Sequence, residues 1–202
     1  MQVILKDEII QKLKEVGLKI GDTVMVHTSL GKMGYVCGGA QAVIEALMEV
    51  VGDSGTIMMP TQSWKNLDPE TGIHWEADQK DWQLIRDNWP VYDKNLTPTN
   101  TMGAVAEMFR QVPGSVRSDH PARSVCAWGR YAEYSAVSEA GKRVWKAYET
   151  LFVDGNDFEK IGEDFEEAYA VPGVQIGNAF VRLMYQRELV DFAVKWIETN
   201  RA

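Results

Sequence analysis

A strand, a helix and a second strand follow one another near the start of the chain, and their spacing constrains everything built on them. Residues 23–27, Thr-Val-Met-Val-His, form a short β-rich run, and Thr56–Pro60, Thr-Ile-Met-Met-Pro, forms another. Between them, residues 40–51 place Ala40, Val43, Ile44, Leu47, Val50 and Val51 at helical intervals, and Gly52 closes the helix. Two strands joined through a helix pair in parallel, by a right-handed crossover. Strand, helix and strand at this spacing make a βαβ unit.

The remaining elements read less uniformly. An opening helix over 6–16 puts Ile9, Ile10, Leu13 and Val16 on one face and stops at Gly17. Residues 28–39 read as a turn-rich loop. Residues 61–100 are long, polar and aromatic, with only Trp82–Asn88 as a short helix; a loop of that length in a compact domain is more often functional than idle. A helix over 101–111 is expected to turn Met102, Val105, Met108 and Phe109 inward. Short strands over 116–118 and 124–128 flank His120-Pro121, and 143–149 alternates weakly as a strand. An acidic helix over 154–168 holds its inner face at Phe158, Ile161 and Phe165, its charge being a solvated face. A last amphipathic helix spans 189–198 through Val190, Phe192, Ala193, Trp196 and Ile197.

With 202 residues the chain is read as one domain over 1–202. Its 45% hydrophobic and 25% charged residues suit a soluble globular protein. The net charge of −8 argues against a nucleic-acid partner and favours cationic ones. Cys37 and Cys126 are too few for a disulfide framework or a cysteine-rich zinc site, which points to a reducing, cytoplasmic setting. No apolar run approaches a membrane span, and the charged first sixteen residues do not read as a signal peptide.

Chemistry concentrates in two places. His27-Thr28-Ser29-Leu30 stands at the carboxyl end of a strand, and Gly38-Gly39-Ala40 opens a helix. A helix start exposes unpaired N–H groups at the positive end of a dipole, and glycines let an anion approach. The alternative is that the glycines only shape a tight turn. The second place is Arg117-Ser118-Asp119-His120-Pro121, where an imidazole suited to take a proton near neutrality sits among polar groups; the alternative is a structural turn capped by Asp119. His74 is expected to be exposed, and His27 to be a core polar group with its partners. The three histidines have no metal-ligand spacing, so no metal site is expected.

Taken together, these segments resemble the aminoglycoside 3-N-acetyltransferase family. The matching stretches include Val26-His-Thr-Ser-Leu30, Gly38-Gly-Ala-Gln-Ala-Val-Ile-Glu-Ala-Leu47, Gly55-Thr-Ile-Met-Met-Pro-Thr-Gln62, Thr97-Pro-Thr99, Met102-Gly-Ala-Val-Ala-Glu107 and Arg117-Ser-Asp-His-Pro-Ala-Arg-Ser124. Ile176-Gly-Asn-Ala179 and Val190-Asp-Phe-Ala-Val-Lys-Trp196 match as well. The resemblance implies an α/β fold with a central mixed, largely parallel sheet flanked by helices. It also implies acetyl transfer from acetyl-CoA to the 3-amino group of a 2-deoxystreptamine antibiotic. It assigns the cofactor to His27, Thr28, Ser29, Leu30, Gly31, Gly38 and Gly39, with Thr99, Met102, Gly103, Arg117 and Ser118 further along. The acidic aromatic loop is then the place for a polycationic amino sugar, with Asp68 and Asp93 to meet ammonium groups and Trp64 and Trp82 as platforms. Family members are longer than this chain. They carry their catalytic acidic and histidine residues in a segment between the Trp-Gly motif and the Arg-Val-Trp run. Here only 130–142 lies between Gly129 and Arg143, without those motifs, so the chain is expected to lack an internal family segment. Two outcomes follow: His120 acts as a substitute base, or the chain is a catalytically weak or inactive CoA-binding or interaction module derived from the family. A homodimer stays open.

Overall fold

The structure, a computed structural model, describes residues 2–74, 76–135 and 157–200. It opens with β1 (Val3–Ile4) and α1 (Lys6–Glu15), whose first turn carries Asp7 and Glu8 and whose last turn carries Lys12 and Lys14, opposite in sign to the helix dipole at each end. Next come β2 (Thr23–Met25), α2 (Leu30–Met33), β3 (Tyr35–Val36), α3 (Gly39–Val51) and β4 (Thr56–Pro60). The stretch expected as an irregular loop thus contains a helical turn and a strand, and β3 pairs in parallel with β1. β2 and β4 pair in parallel, Val24 opposite Ile57, as the strand–helix–strand reading requires.

The main sheet runs β2–β4–β6–β5, with β5 at Val116–Arg117 and β6 at Val125–Gly129. β6 is antiparallel to β4 and to β5. The sheet is mixed, but among the described residues its antiparallel pairs outnumber the parallel one, in place of the largely parallel sheet expected. The long excursion after β4 leads to β5, which runs parallel to β4, and the β5–β6 hairpin then brings the chain back antiparallel beside β4.

α3 buries residues around most of its circumference, from Ala40 to Val51, because α1, the sheet and α5 (Gly103–Phe109) surround it. In α5, Val105, Ala106 and Phe109 face inward, whereas Met108 is exposed instead of buried, since it lies off the stripe those three define. The long excursion holds α4 (Trp82–Asn88), as expected, between short 3₁₀ turns. α6 spans Ala132–Ser135 and α7 Phe158–Tyr169. Ile161 and Phe165 of α7 are buried, but Phe158 is 68% exposed, a correction to the expected inner face.

A hairpin of β7 (Gly173–Ile176) and β8 (Ala179–Arg182) precedes α8 (Gln186–Asn200). The sequence reading assigned no element there. Its two-residue turn, Gly177-Asn178, needs glycine at φ 58°, and a Cβ on Gly177 would lie 1.9 Å from the Met33 carbonyl oxygen. α8 rests on α7 through the Phe165–Phe192 edge contact at 5.5 Å and a Trp196 Nε1–H bond to Asp164 of 2.7 Å. The strand expected over 143–149, residues 154–156 of the acidic helix, and Trp75 lie outside the described residues. No helix among the described residues is long and apolar enough to cross a membrane.

Candidate active site

β2 and β4 end side by side, and their pairing continues one step through the Val26 N–H bond to the Met58 carbonyl, 2.8 Å. Just beyond the carboxyl ends of this parallel pair lies a cavity of about 140 Å³ lined by Val26, His27, Thr28, Met59, Pro60, Thr101, Met102 and Ala106. Cavities at this edge are where α/β sheets take ligands, because loops and helix starts converge there. α3 runs back along the sheet from the same edge. It opens at Gly38, φ 86°, and Gly39, φ 58°, with no side-chain cap. A Cβ on Gly39 would meet nothing within 4 Å, so the start of α3 faces open space.

The opposite wall is shaped by strain. Thr101 is held at φ 62°, a left-handed conformation that costs a non-glycine residue about 1–2 kcal/mol. Met102, φ −83°, and Gly103, φ 81°, continue the alternation in the sign of φ as the chain enters α5. The neighbour Asn100 holds the turn: its N–H reaches the Gln62 carbonyl at 2.8 Å, and its Oδ1 accepts the Lys65 N–H at 3.1 Å.

The long excursion is not an open binding surface. Arg117, 5% exposed, anchors it with its guanidinium. Nη2 donates to the Thr61 carbonyl (2.7 Å) and Ser63 Oγ (2.9 Å), Nε to Ser124 Oγ (3.0 Å), and Nη1 to the carbonyls of Lys94 (3.2 Å) and Thr97 (2.5 Å). All its donors meet neutral oxygens, and burial pushes its pKa down. Ser118 is buried too: its Oγ accepts the Val125 N–H and its carbonyl accepts the Tyr92 hydroxyl at 2.9 Å. Thr99 gives both N–H and hydroxyl to Glu107, 2.8 Å each. Burial pushes the Glu107 carboxyl up, but bonds from Arg110 and Thr99 outweigh it and hold it at about 2. Arg117, Ser118 and Thr99, expected along the cofactor groove, are here committed to holding the excursion in place.

His120 also departs from expectation. Its Nδ1 accepts the N–H groups of Arg123 (2.9 Å) and Ala122 (3.2 Å), which makes the imidazole, not Asp119, the cap of the turn. Asp119 pairs with Lys94 at the surface instead, at 3.4 Å. Burial, then the nearby Arg123, pushes the His120 pKa down. A ring whose accepting nitrogen already takes two backbone N–H groups is poorly arranged to receive a substrate proton.

The proposed substrate carboxylates are occupied as well. Asp68 takes a bidentate bond from Arg86, at 2.8 and 3.0 Å, and Asp93 accepts the N–H groups of Asn95 and Leu96 in its own turn. Trp64 and Trp82 are half-buried at the starts of short helical turns, and Arg123 stacks on Trp64 at 5.4 Å. His74 is 3% exposed rather than surface, bonded to the Lys65 carbonyl at 2.8 Å and edge-on to Trp89. His27 reverses the other way: it is exposed, at the cleft.

The family model for aminoglycoside 3-N-acetyltransferases matches residues 25–139 and 131–198. The chain belongs to this family. It is 34% identical to the SPbeta prophage-derived aminoglycoside N(3')-acetyltransferase-like protein YokD of Bacillus subtilis, over 252 aligned positions covering 96% of this chain and 93% of that protein. The crystal structure of YokD superposes with a TM-score of 0.91 at 32% identity, covering 100% of this chain and 96% of that one. Aminoglycoside N(3)-acetyltransferase IX of Micromonospora chalcea is 38% identical over 128 residues, 62% of this chain and 44% of its own length. The fold is shared with a structure described as AAC-IIIb binary with CoASH, at a TM-score of 0.76 and 18% identity, covering 98% of this chain and 97% of that one.

Within this acetyltransferase fold, the structure brings together His27, Thr28 and Met102 at the cleft, with Gly103 beside them and Gly38 and Gly39 at the start of α3. Ser29 is exposed just before α2, in which Leu30 packs on the core and Gly31 is exposed. Met59, Pro60, Thr101 and Ala106 line the cleft and were not anticipated. Met59 and Pro60 were readable as the end of the second parallel strand, where ligand edges lie. Thr101 carried no such signal, because only the fold forces its φ.

Proposed function

We propose that the chain transfers the acetyl group of acetyl-CoA to the 3-amino group of a 2-deoxystreptamine aminoglycoside. The cleft at the carboxyl ends of β2 and β4, together with the uncapped glycine start of α3 at the same edge of the sheet, carries this reading. The pyrophosphate of acetyl-CoA fits the Gly38-Gly39 start, where N–H groups and the helix dipole favour anions and no side chain intrudes. The acetyl end then lies toward His27, Thr28 and Met102. The net charge of −8 attracts a polycationic sugar over long range, and salt weakens that attraction. Acetylation removes one of the drug's positive charges, the chemistry of antibiotic resistance, and the unpaired cysteines Cys37 and Cys126 agree with a reducing cytoplasm. Thiol release from acetyl-CoA in the presence of a panel of aminoglycosides tests the reading; turnover with at least one is the expected result.

A second reading has its own support. The alignment with YokD runs over 252 positions, more than the 202 residues of this chain, and the two stretches matched to the family overlap at 131–139. We infer that a family segment is missing near 130–143, which would leave a catalytically weak, CoA-binding member of the family. Tight acetyl-CoA binding without thiol release on any aminoglycoside is the outcome that favours it.

A further inference from the structure

An ammonium group must lose one proton before its nitrogen can attack a thioester and a second as the amide forms, and the cleft contains one side chain able to accept a proton. His27 is exposed at the end of β2 and makes no hydrogen bond or ion pair to any described residue. Apart from the hydroxyls of Thr28 and Thr101, the other lining side chains are apolar, from Val26, Met59, Pro60, Met102 and Ala106. The elements around it add no competing titratable group: β2 and β4 carry none, Lys32 of α2 is exposed, and on α5 Glu107 is taken by Arg110 and Thr99. His120 has its accepting nitrogen bound to backbone, and His74 is buried against Lys65 and Trp89. Of the three histidines, only His27 has a ring open to a cleft.

We propose that His27 is the general base of acetyl transfer in this chain, resting on the acetyltransferase reading above. The ammonium group first gives one proton to solvent. As the amine nitrogen bonds to the thioester carbon, the His27 imidazole takes the second proton. The carbon–sulfur bond then breaks, and the imidazolium returns that proton to the leaving sulfur, so the products are the N-acetyl amine and CoASH. The base and the attacking amine need to lie within hydrogen-bond reach of each other, directly or through a water, and His27 lines the cavity of about 140 Å³ into which the thioester would reach.

The test compares the full-length protein with His27→Gln and His27→Ala. Acetyl-CoA affinity by calorimetry is expected to change less than about threefold, while kcat falls by about 10²–10⁴-fold. The rising, base-dependent limb of the kcat–pH profile disappears with it, and added imidazole restores part of the rate to His27→Ala. An active wild type whose His27→Gln variant keeps its kcat and pH profile overturns the proposal and leaves the function intact. A variant that loses acetyl-CoA affinity in step with its rate also overturns it, by making His27 a cofactor contact. A wild type that binds acetyl-CoA but acetylates nothing overturns the acetyltransferase reading itself, and this role with it.

Discussion

The cleft edge and the Arg117 anchor are built from similar residues and do opposite things. Each gathers hydroxyls, a histidine and a strand end. At the anchor, the guanidinium meets five neutral oxygens, Ser124 Oγ donates to the Thr61 carbonyl at 2.6 Å, and His120 caps its own turn. At the cleft, the start of α3 has no side-chain cap and His27 has no described partner. A buried polar group left unpaired costs about 1–3 kcal/mol, so the interior pairs everything it contains and becomes scaffold. An exposed edge is not under that penalty, because water satisfies it until a ligand does. Residue type is therefore a poor guide to function here, and the state of the hydrogen bonds is a better one.

The comparison breaks first at Arg117. Arg117→Met strips the partners from buried oxygens and is expected to cost about 3–5 kcal/mol in urea unfolding, a scaffold-sized effect. Arg117→Lys, with three donors in place of five, recovers only part of that. A loss below 1 kcal/mol in the Met variant would mean that the network is decoration. At the cleft the effect belongs in binding instead. Gly39→Asp is expected to weaken acetyl-CoA about tenfold relative to Gly39→Asn, with both folding alike. Either side chain fits the open space at Gly39 and tolerates its positive φ, so the difference isolates the charge.

Glu107 sharpens the contrast through pH. Its carboxyl is held at about 2, below the ordinary 4.5, so its contribution to stability is present above about pH 4.5 and is lost as the pH falls toward 2. Glu107→Gln is expected to cost about 1–2 kcal/mol near neutrality, after discounting for its partial exposure, and to flatten the acid limb of the stability curve. An unchanged acid limb would remove Glu107 from the scaffold. The smallest effect is expected at Asp119, whose pair with Lys94 is about half exposed at both ends. Asp119→Asn should shift stability by less than about 0.5 kcal/mol, whereas a loss above 1 kcal/mol would return to Asp119 the capping role that the structure gives to His120.

Several parts of this picture were legible in the sequence, for identifiable reasons. Thr56–Pro60 and Trp82–Asn88 fall where periodicity and length put them, and the helix at Gly39–Val51 starts one residue early. The α3 pattern reads clearly because the helix is packed on several sides and apolar almost throughout. β7 and β8 escaped notice, four residues each, because their edge alternation is weak and their turn glycine is required by the Met33 carbonyl, far away in sequence. At the site, the Gly38-Gly39 helix start was legible because backbone conformation is local, whereas histidine exposure was not: His27, expected to be paired in the core, is exposed, and His74, expected at the surface, is buried.

The sequence by itself determined the βαβ unit, the parallel pairing of its two strands and the glycine start of the helix between them. These follow from side-chain periodicity, from crossover geometry and from local backbone conformation, none of which needs a distant partner. Only the tertiary structure decided that Arg117, Thr99 and His120 are committed to holding a loop while His27 stands open. Whether a polar side chain is occupied depends on which oxygens and N–H groups, often more than fifty residues away, the fold brings within 3 Å of it.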